Sequence, residues 1–219
     1  MCFSAPASFV TAGLTGAIGV ASLTLVNGPR ELPLAGVPLL FALQQSVEGL
    51  LWINLPSAPD AAFGKDLTVC FLFFAEVFWP VYAPLAIWLI EPGSARRGFM
   101  LLCLALGFGV SFVLLWSLLT RSHGASILDD HIVYVTEGRH SSILNIAYLV
   151  ATSLPLMLSS RRTLLALGAI VLVGSVAAHI FYWEAFVSVW CFFAAAASVV
   201  ILCHFQSSRR RRPGIAGAW

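Results

Sequence analysis

Seven stretches of this chain, at 7–26, 33–54, 67–90, 98–119, 141–158, 163–182 and 185–204, are mostly apolar, and none contains a lysine or an arginine. About 20 such residues are what an α-helix needs to cross the hydrocarbon core of a bilayer. The stretches consume most of the 219 residues, which leaves no length for a separate soluble domain. Composition agrees: 59% of residues are hydrophobic and 10% are charged, against about 25% charged in an ordinary soluble domain. The expected fold class is all-α, a polytopic membrane bundle of seven transmembrane helices over residues 1–206, with a basic tail at 207–219. The same figures exclude a water-soluble enzyme, a disordered chain and a nucleic-acid module.

Orientation follows from the loops, because short cytoplasmic loops retain Lys and Arg. One side carries Arg30, Arg96, Arg97, Arg161, Arg162 and Arg209 to Arg212. The other carries only Lys65, Arg121 and Arg139. This alternation holds across an odd number of spans and puts the N-terminus outside and the tail in the cytoplasm. A multi-pass protein of the inner (plasma) membrane is the expected location. The Arg209–Arg212 run follows a span directly, so it reads as a stop-transfer cluster facing anionic lipid, with no nucleic-acid partner implied. The first stretch lacks a basic n-region and contains Gly13, Gly16 and Gly19, so it reads as a mature span. Its small residues at four-residue spacing, Ala12/Gly16 and Gly13/Ala17/Ala21, permit close helix packing.

Breaks at Asn27-Gly28-Pro29, at Pro56 to Lys65 and at Glu91-Pro92-Gly93 carry turn chemistry. The break near Trp183-Glu184 is so short that spans six and seven should form a tight antiparallel hairpin. The long segment 120–140 lies outside. It reads as an interfacial helix or an extended lid, with 126–135 covering the mouth of the bundle. No internal repeat is visible, which gives no support to a transporter built from inverted repeats.

The informative residues are those that lipid should reject. Glu48 lies in span two, Glu76 in span three and His179 in span six. An acid at a helix centre costs about 2.5–3.5 kcal/mol on insertion scales, and such residues usually face the bundle interior. With no Lys or Arg in any span, the two carboxyls are protonated, paired with His179, or bound to a cation. Gln44 and Gln45, His140 with Ser141, Ser142 and Asn145, and Ser188 with Cys191 fall in the same outer half, which implies one polar chamber open to the outside. Gln44, Glu48 and Trp52 share a helical stripe, as do Ser175, His179 and Trp183. Pro80 and Pro84 kink span three and free carbonyls beside Glu76.

Carboxylates and imidazoles from different helices suit Zn, Fe or Mn. The expected ligand set is Glu48, Glu76, His140 and His179, without any HExxH or HxxxH signature. Cys2 and Ser188 are the candidate catalytic groups. With Met1 removed, Cys2 would offer a thiol and an amine together. The substrate would be small or lipid-soluble. A non-catalytic transporter or ligand-binding protein, or an accessory subunit with neighbours in a larger membrane complex, are the alternatives.

Each feature also has a plain structural reading. A bundle glutamate can be a protonated hydrogen-bonder, His179 and His204 can be interfacial, and His123 and His131 can be solvated loop residues. Trp52, Trp79, Trp183 and Trp190 can form an aromatic belt. The five cysteines contain no CxxC pair, and a pairing among Cys2, Cys70 and Cys191 cannot be assigned. No CxxCH appears, so covalent haem is not expected. The only lysine, Lys65, sits in a loop, so neither is a retinal Schiff base.

The opening Met1-Cys2-Phe3-Ser4-Ala5-Pro6-Ala7-Ser8 resembles bacterial membrane proteins that begin MC(F/W)SATAS, with Pro6 in place of the usual Thr. Gln44-Gln45-Ser46-Val47-Glu48-Gly49-Leu50-Leu51-Trp52 and Phe186-Val187-Ser188-Val189-Trp190-Cys191-Phe192-Phe193-Ala194-Ala195 carry the likeness over essentially the whole chain. It implies a multi-pass architecture in families of unknown function and assigns no activity. A weaker likeness, to seven-span alkaline ceramidases and progestin-receptor-type hydrolases that hold Zn with three histidines, carries over no residue.

Overall fold

The computed structural model describes residues 4–57, 61–128, 131–137, 141–181 and 186–210, with backbone alone at 94, 175–181, 186–195 and 210. The elements are α1 (Ala5–Leu23), α2 (Leu32–Asn54), α3 (Ala62–Leu72), a π-helical turn (Phe73–Phe78), α4 (Trp79–Ile90) and α5 (Ser94–Thr120). After these come β1 (His123–Leu128), β2 (His131–Thr136), α6 (Ser142–Leu158), α7 (Arg162–Phe181) and α8 (Phe186–Arg210). The protein is mostly helical. Among the described residues four helical segments are long and apolar enough to cross a membrane: Ala5–Leu23, Pro29–Asn54, Ala62–Ile90 and Ala95–Thr120. Ser142–Leu158 and Arg162–Gly174 are shorter apolar helical segments. The first of the four starts cleanly because the Ser4 hydroxyl accepts from Ala7 N–H at 3.4 Å and Pro6 supplies a helical φ in the first turn. At α6 the cap is Ser141, which accepts from Leu144 N–H at 3.2 Å.

Helices α1 and α2 make the closest pair, and small residues set their approach. A Cβ on Gly19 would sit 2.6 Å from the Leu39 side chain, and one on Gly49 would sit 2.8 Å from the Phe9 ring. The buried face of α1 is Ser8, Ala12, Thr15, Gly19 and Ser22. The expected Gly13/Ala17/Ala21 stripe is therefore not the contact. Gly13 and Ala17 are exposed, and nothing lies within 4 Å of a Cβ built on Gly13.

The rod from Ala62 to Ile90 is broken at its middle, as its prolines require. Pro80 cannot donate to the Glu76 carbonyl and Pro84 cannot donate to that of Pro80. The backbone answers with the π turn Phe73–Phe78. Side chains from elsewhere take up its carbonyls: Tyr148 O–H donates to Ala75 C=O at 2.6 Å, and Ser111 O–H donates to Val77 C=O at 2.6 Å. The Pro80 carbonyl projects at Gly107 of α5, where an added Cβ would lie 1.9 Å from that oxygen.

Segment 120–140 corrects the purely α expectation. It forms an antiparallel hairpin with His123 opposite Thr136 and Leu128 opposite His131, the extended of the two alternatives. The run Ile132-Val133-Tyr134-Val135-Thr136 is β-branched and aromatic, which favours a pleated, half-buried surface over a helix. Ile132 is fully buried against Val47, Leu51, Leu55, Leu67 and Phe71. Tyr134 stacks on Phe71 with centroids 4.6 Å apart. The hairpin thus covers the end of the bundle formed by the end of α2 and the start of α3. His123 is half-buried rather than freely solvated, with Nδ1 3.1 Å from Thr136 Oγ1 and Nε2 3.4 Å from the Ser117 carbonyl.

Candidate functional site

Helices α2 and α3–α4 run antiparallel. Tyr82 O–H reaches the Pro33 carbonyl at 2.9 Å, Trp79 meets Gln44, and Leu51 and Leu55 meet Leu67 and Phe71. This pairing brings the two sequence-selected acids to one depth. Glu48 is one turn beyond Gln44, about 6 Å along α2 at ~1.5 Å per residue. Glu76 is three residues from Trp79, about 4.5 Å along its own rod by the same rise.

Around that level the polar side chains are closed off from solvent. Gln44, Gln45 and Glu48 are 3%, 1% and 0% exposed. Trp79 Nε1–H donates to Gln44 Oε1 at 2.9 Å, and Gln45 Nε2–H donates to Glu48 Oε2 at 2.9 Å. The Phe41 ring, 4.5 Å from that of Trp79, fixes the indole. Burying an amide or carboxyl is tolerable only when it is hydrogen-bonded, and these bonds supply part of that requirement. Glu76 stands in the π turn, half-buried, beside Ala75, whose carbonyl accepts from the Tyr148 hydroxyl on α6. A π turn and two displaced carbonyls beside an acid are the local irregularities that recur at functional sites.

The remaining sequence-selected residues divide as follows. Cys2 and His140 lie outside the described residues. His179, near the end of α7, and Ser188, near the start of α8, sit on described helical backbone at the hairpin end, but their side chains lie outside the description. Ser141, Ser142 and Asn145 are exposed and do not turn into a chamber. Cys70, Cys103 and Cys203 are free thiols. Among the described residues no three His, Cys, Asp or Glu side chains gather so as to hold one metal ion.

Beyond the Gln44–Trp79 bond, on the side away from Glu48, lies a cavity of about 80 Å³. Its walls come from α2, α4, α6, α7 and α8, and are apolar except for Trp79, Tyr148 and Thr152.

Sequence reasoning missed a second polar cluster at the opposite end of the bundle. Glu91, 2% exposed, accepts at Oε2 from Ser159 O–H and from Ser160 N–H, both at 3.1 Å. Ser159 Oγ in turn accepts from Arg161 N–H at 3.3 Å. Thr163 Oγ1 hydrogen-bonds His204 Nδ1, and His204 is 4% exposed. His204, at the far end of the bundle as expected, is thus packed inside it, and buried polar groups occur at this end as well as around Glu48. In Glu91-Pro92-Gly93 the acid looks like a solvated turn residue. The only sequence cue was an acid directly after a span and a serine pair, Ser159-Ser160, at the end of another.

No curated protein and no solved structure matches the chain. A family model does, over residues 1–218, and the protein therefore belongs to the family of unknown function DUF6629.

Proposed function

We propose that the protein is a seven-span integral membrane protein of the plasma membrane, N-terminus outside and tail cytoplasmic. In the outer half of the bundle Glu48 and Glu76 form a polar site for a small or lipid-soluble ligand. The observation that carries this reading is the sealed layer Gln44–Trp79 and Gln45–Glu48 set level with Glu76 in a broken helix. Two acids at mid-helix with no Lys or Arg in any span tax insertion by several kcal/mol together. The hairpin, with Ile132 and Tyr134 packed down, acts as the cover on the outer side.

In the catalytic version of this reading a divalent metal (Zn, Fe or Mn) is held by Glu48, Glu76, His140 and His179, and Cys2 or Ser188 approaches the substrate. Metal analysis of purified wild type and Glu48→Gln tests it. Stoichiometric metal in wild type and a loss of at least tenfold in the variant is the expected result. Equal, near-zero metal in both removes the metal, and the site is then a binding site only. Unchanged small-molecule content, by mass spectrometry of extracts, in both Glu48→Gln and Glu76→Gln removes the site itself.

The buried Glu91, Ser159 and His204 favour a second reading, proton-coupled transport, because they put polar groups beyond the apolar middle as well as before it. Proton-coupled uptake into vesicles, lost in Glu76→Gln, would support it.

A further inference from the structure

We propose that the polar ties at the tail end of the bundle are the inner gate of a central passage, opened when the Glu91 carboxylate takes up a proton from that side. The proposal rests on the transport reading above and assigns that reading its inner proton site.

Register carries it first. The cavity-lining residues nearest the tail end on α4, α6, α7 and α8 are Ile87, Leu156, Leu167 and Ile201. Each has a tied polar residue three or four positions further toward that end: Glu91, Ser159, Thr163 and His204. At ~1.5 Å per residue the ties lie about 4.5–6 Å beyond the ring, on the same four walls. They join in pairs, Glu91 with Ser159 and Thr163 with His204. Glu91, Ser159 and His204 are all buried. At its other end the cavity is bounded by the Gln44–Trp79 bond. A space bounded at each end by breakable bonds between helices suits gating at one end at a time.

The ties are also built for release. Glu91 Oε2 takes both donors, while Oε1 is buried with no hydrogen bond. Arg161 Nε, in the same turn, is likewise buried and unbonded. A buried polar atom left unpaired takes back much of what its bonded neighbours gain, so the closed floor is held with little to spare. The charges on the elements packed against the end of α4 are engaged elsewhere. Arg97 lies over the Trp88 ring, 4.4 Å from its centroid, and Glu31 accepts from Asn27 N–H. Arg161 gives its backbone N–H to Ser159 Oγ, and Arg30 and Arg96 are exposed. Among the described residues the Glu91 carboxylate is therefore bonded by neutral donors, Ser159 and Ser160. A proton on it removes the charge that strengthens both bonds.

The turn has room and a hinge. Pro155 leaves the Ala151 carbonyl without its helical donor one turn before Ser159. A Cβ on Gly168 would sit 2.9 Å from that of Leu156, so the ends of α6 and α7 move together. A close-packed interior resists displacement, and the void of about 80 Å³ beside the ring gives its side chains somewhere to go.

The test uses the full-length chain in a cysteine-free background, in inside-out vesicles, with a small membrane-impermeant methanethiosulfonate. Ile201→Cys places a thiol in the ring, and Leu156→Cys serves if that variant does not fold. The labelling rate, divided by that of the exposed Arg209→Cys, should rise at least tenfold between about pH 7.5 and about pH 5.5. Glu91→Gln should label at least tenfold faster at the higher pH and lose the response to pH. A ring that neither pH nor Glu91→Gln alters overturns the proposal, and so does a pH response that survives Glu91→Gln, which belongs to another group. Leu51→Cys, fully buried near the other end, should stay unlabelled; acceleration there equal to that at the ring is general loosening and also overturns it. Proton-coupled uptake with an unresponsive ring removes the gate and keeps the transport reading. A responsive ring without uptake removes the transport reading and keeps the gate.

Discussion

Gly107 is the residue whose replacement should be felt most sharply. The Pro80 carbonyl lies 1.9 Å from where its Cβ would be, and a backbone oxygen cannot swing aside as a side chain can. Gly107→Ala should cost about 3 kcal/mol, the upper end of overpacking, read as a fall in Tm of the detergent-solubilised protein. Gly13→Ala, with open space around the added methyl, should be neutral or gain up to about 1 kcal/mol through helix propensity. Tyr148→Phe should destabilise by about 1–3 kcal/mol, because it strands the Ala75 carbonyl, which the π turn turns toward Tyr148. The burial of Glu48 was legible in the sequence because an acid inside an apolar run stands out whatever the fold. Which glycines are tight was not, since spacing on α1 marks a stripe of small residues without saying which side meets α2.

The seven helical segments were legible as elements, since length and apolarity dominate there and tertiary context adds little. Their irregularities were readable only in part. Pro80 and Pro84 announced the break in the third rod, but the π turn depends on Ser111 and Tyr148 arriving from α5 and α6, which no local pattern records. The two prolines and Gly107 form one unit. Pro84→Ala supplies an N–H that can draw the Pro80 carbonyl back into α4, so the double variant Pro84→Ala/Gly107→Ala should lose less stability than the two single losses added together. A coupling of about 1 kcal/mol or more in a double-mutant cycle is the expected outcome, and strict additivity would deny it. The hairpin is a separate unit. Ile132→Ala removes a fully buried side chain from the Leu51–Phe71 cluster and should cost about 2–5 kcal/mol. Far-ultraviolet circular dichroism should stay helical while limited proteolysis begins at 123–136.

At the scale of the whole molecule the claim open to direct test is the seven-span, N-out arrangement. In a cysteine-free background, Ser57→Cys should react with a membrane-impermeant maleimide from outside intact cells. Arg209→Cys should react only after permeabilisation; both positions are exposed. Labelling of both from one side would require an even number of crossings between them. The distribution of charge in the loops is what argues for this orientation. The polar ties at the far end were not readable, because they join residues remote in sequence.

Those ties also constrain how the protein is made. The donors to Glu91 Oε2 belong to residues 68 and 69 positions later in the chain, and His204 meets Thr163 across 41 positions. A nascent chain that has emerged only as far as α5 carries Glu91 without either donor. Until the turn between α6 and α7 is delivered, that acid lacks both of these donors. Biogenesis of this bundle therefore has a late closing step, and a ribosome stalled before Ser159 should leave an assembly that proteases recognise as unfinished.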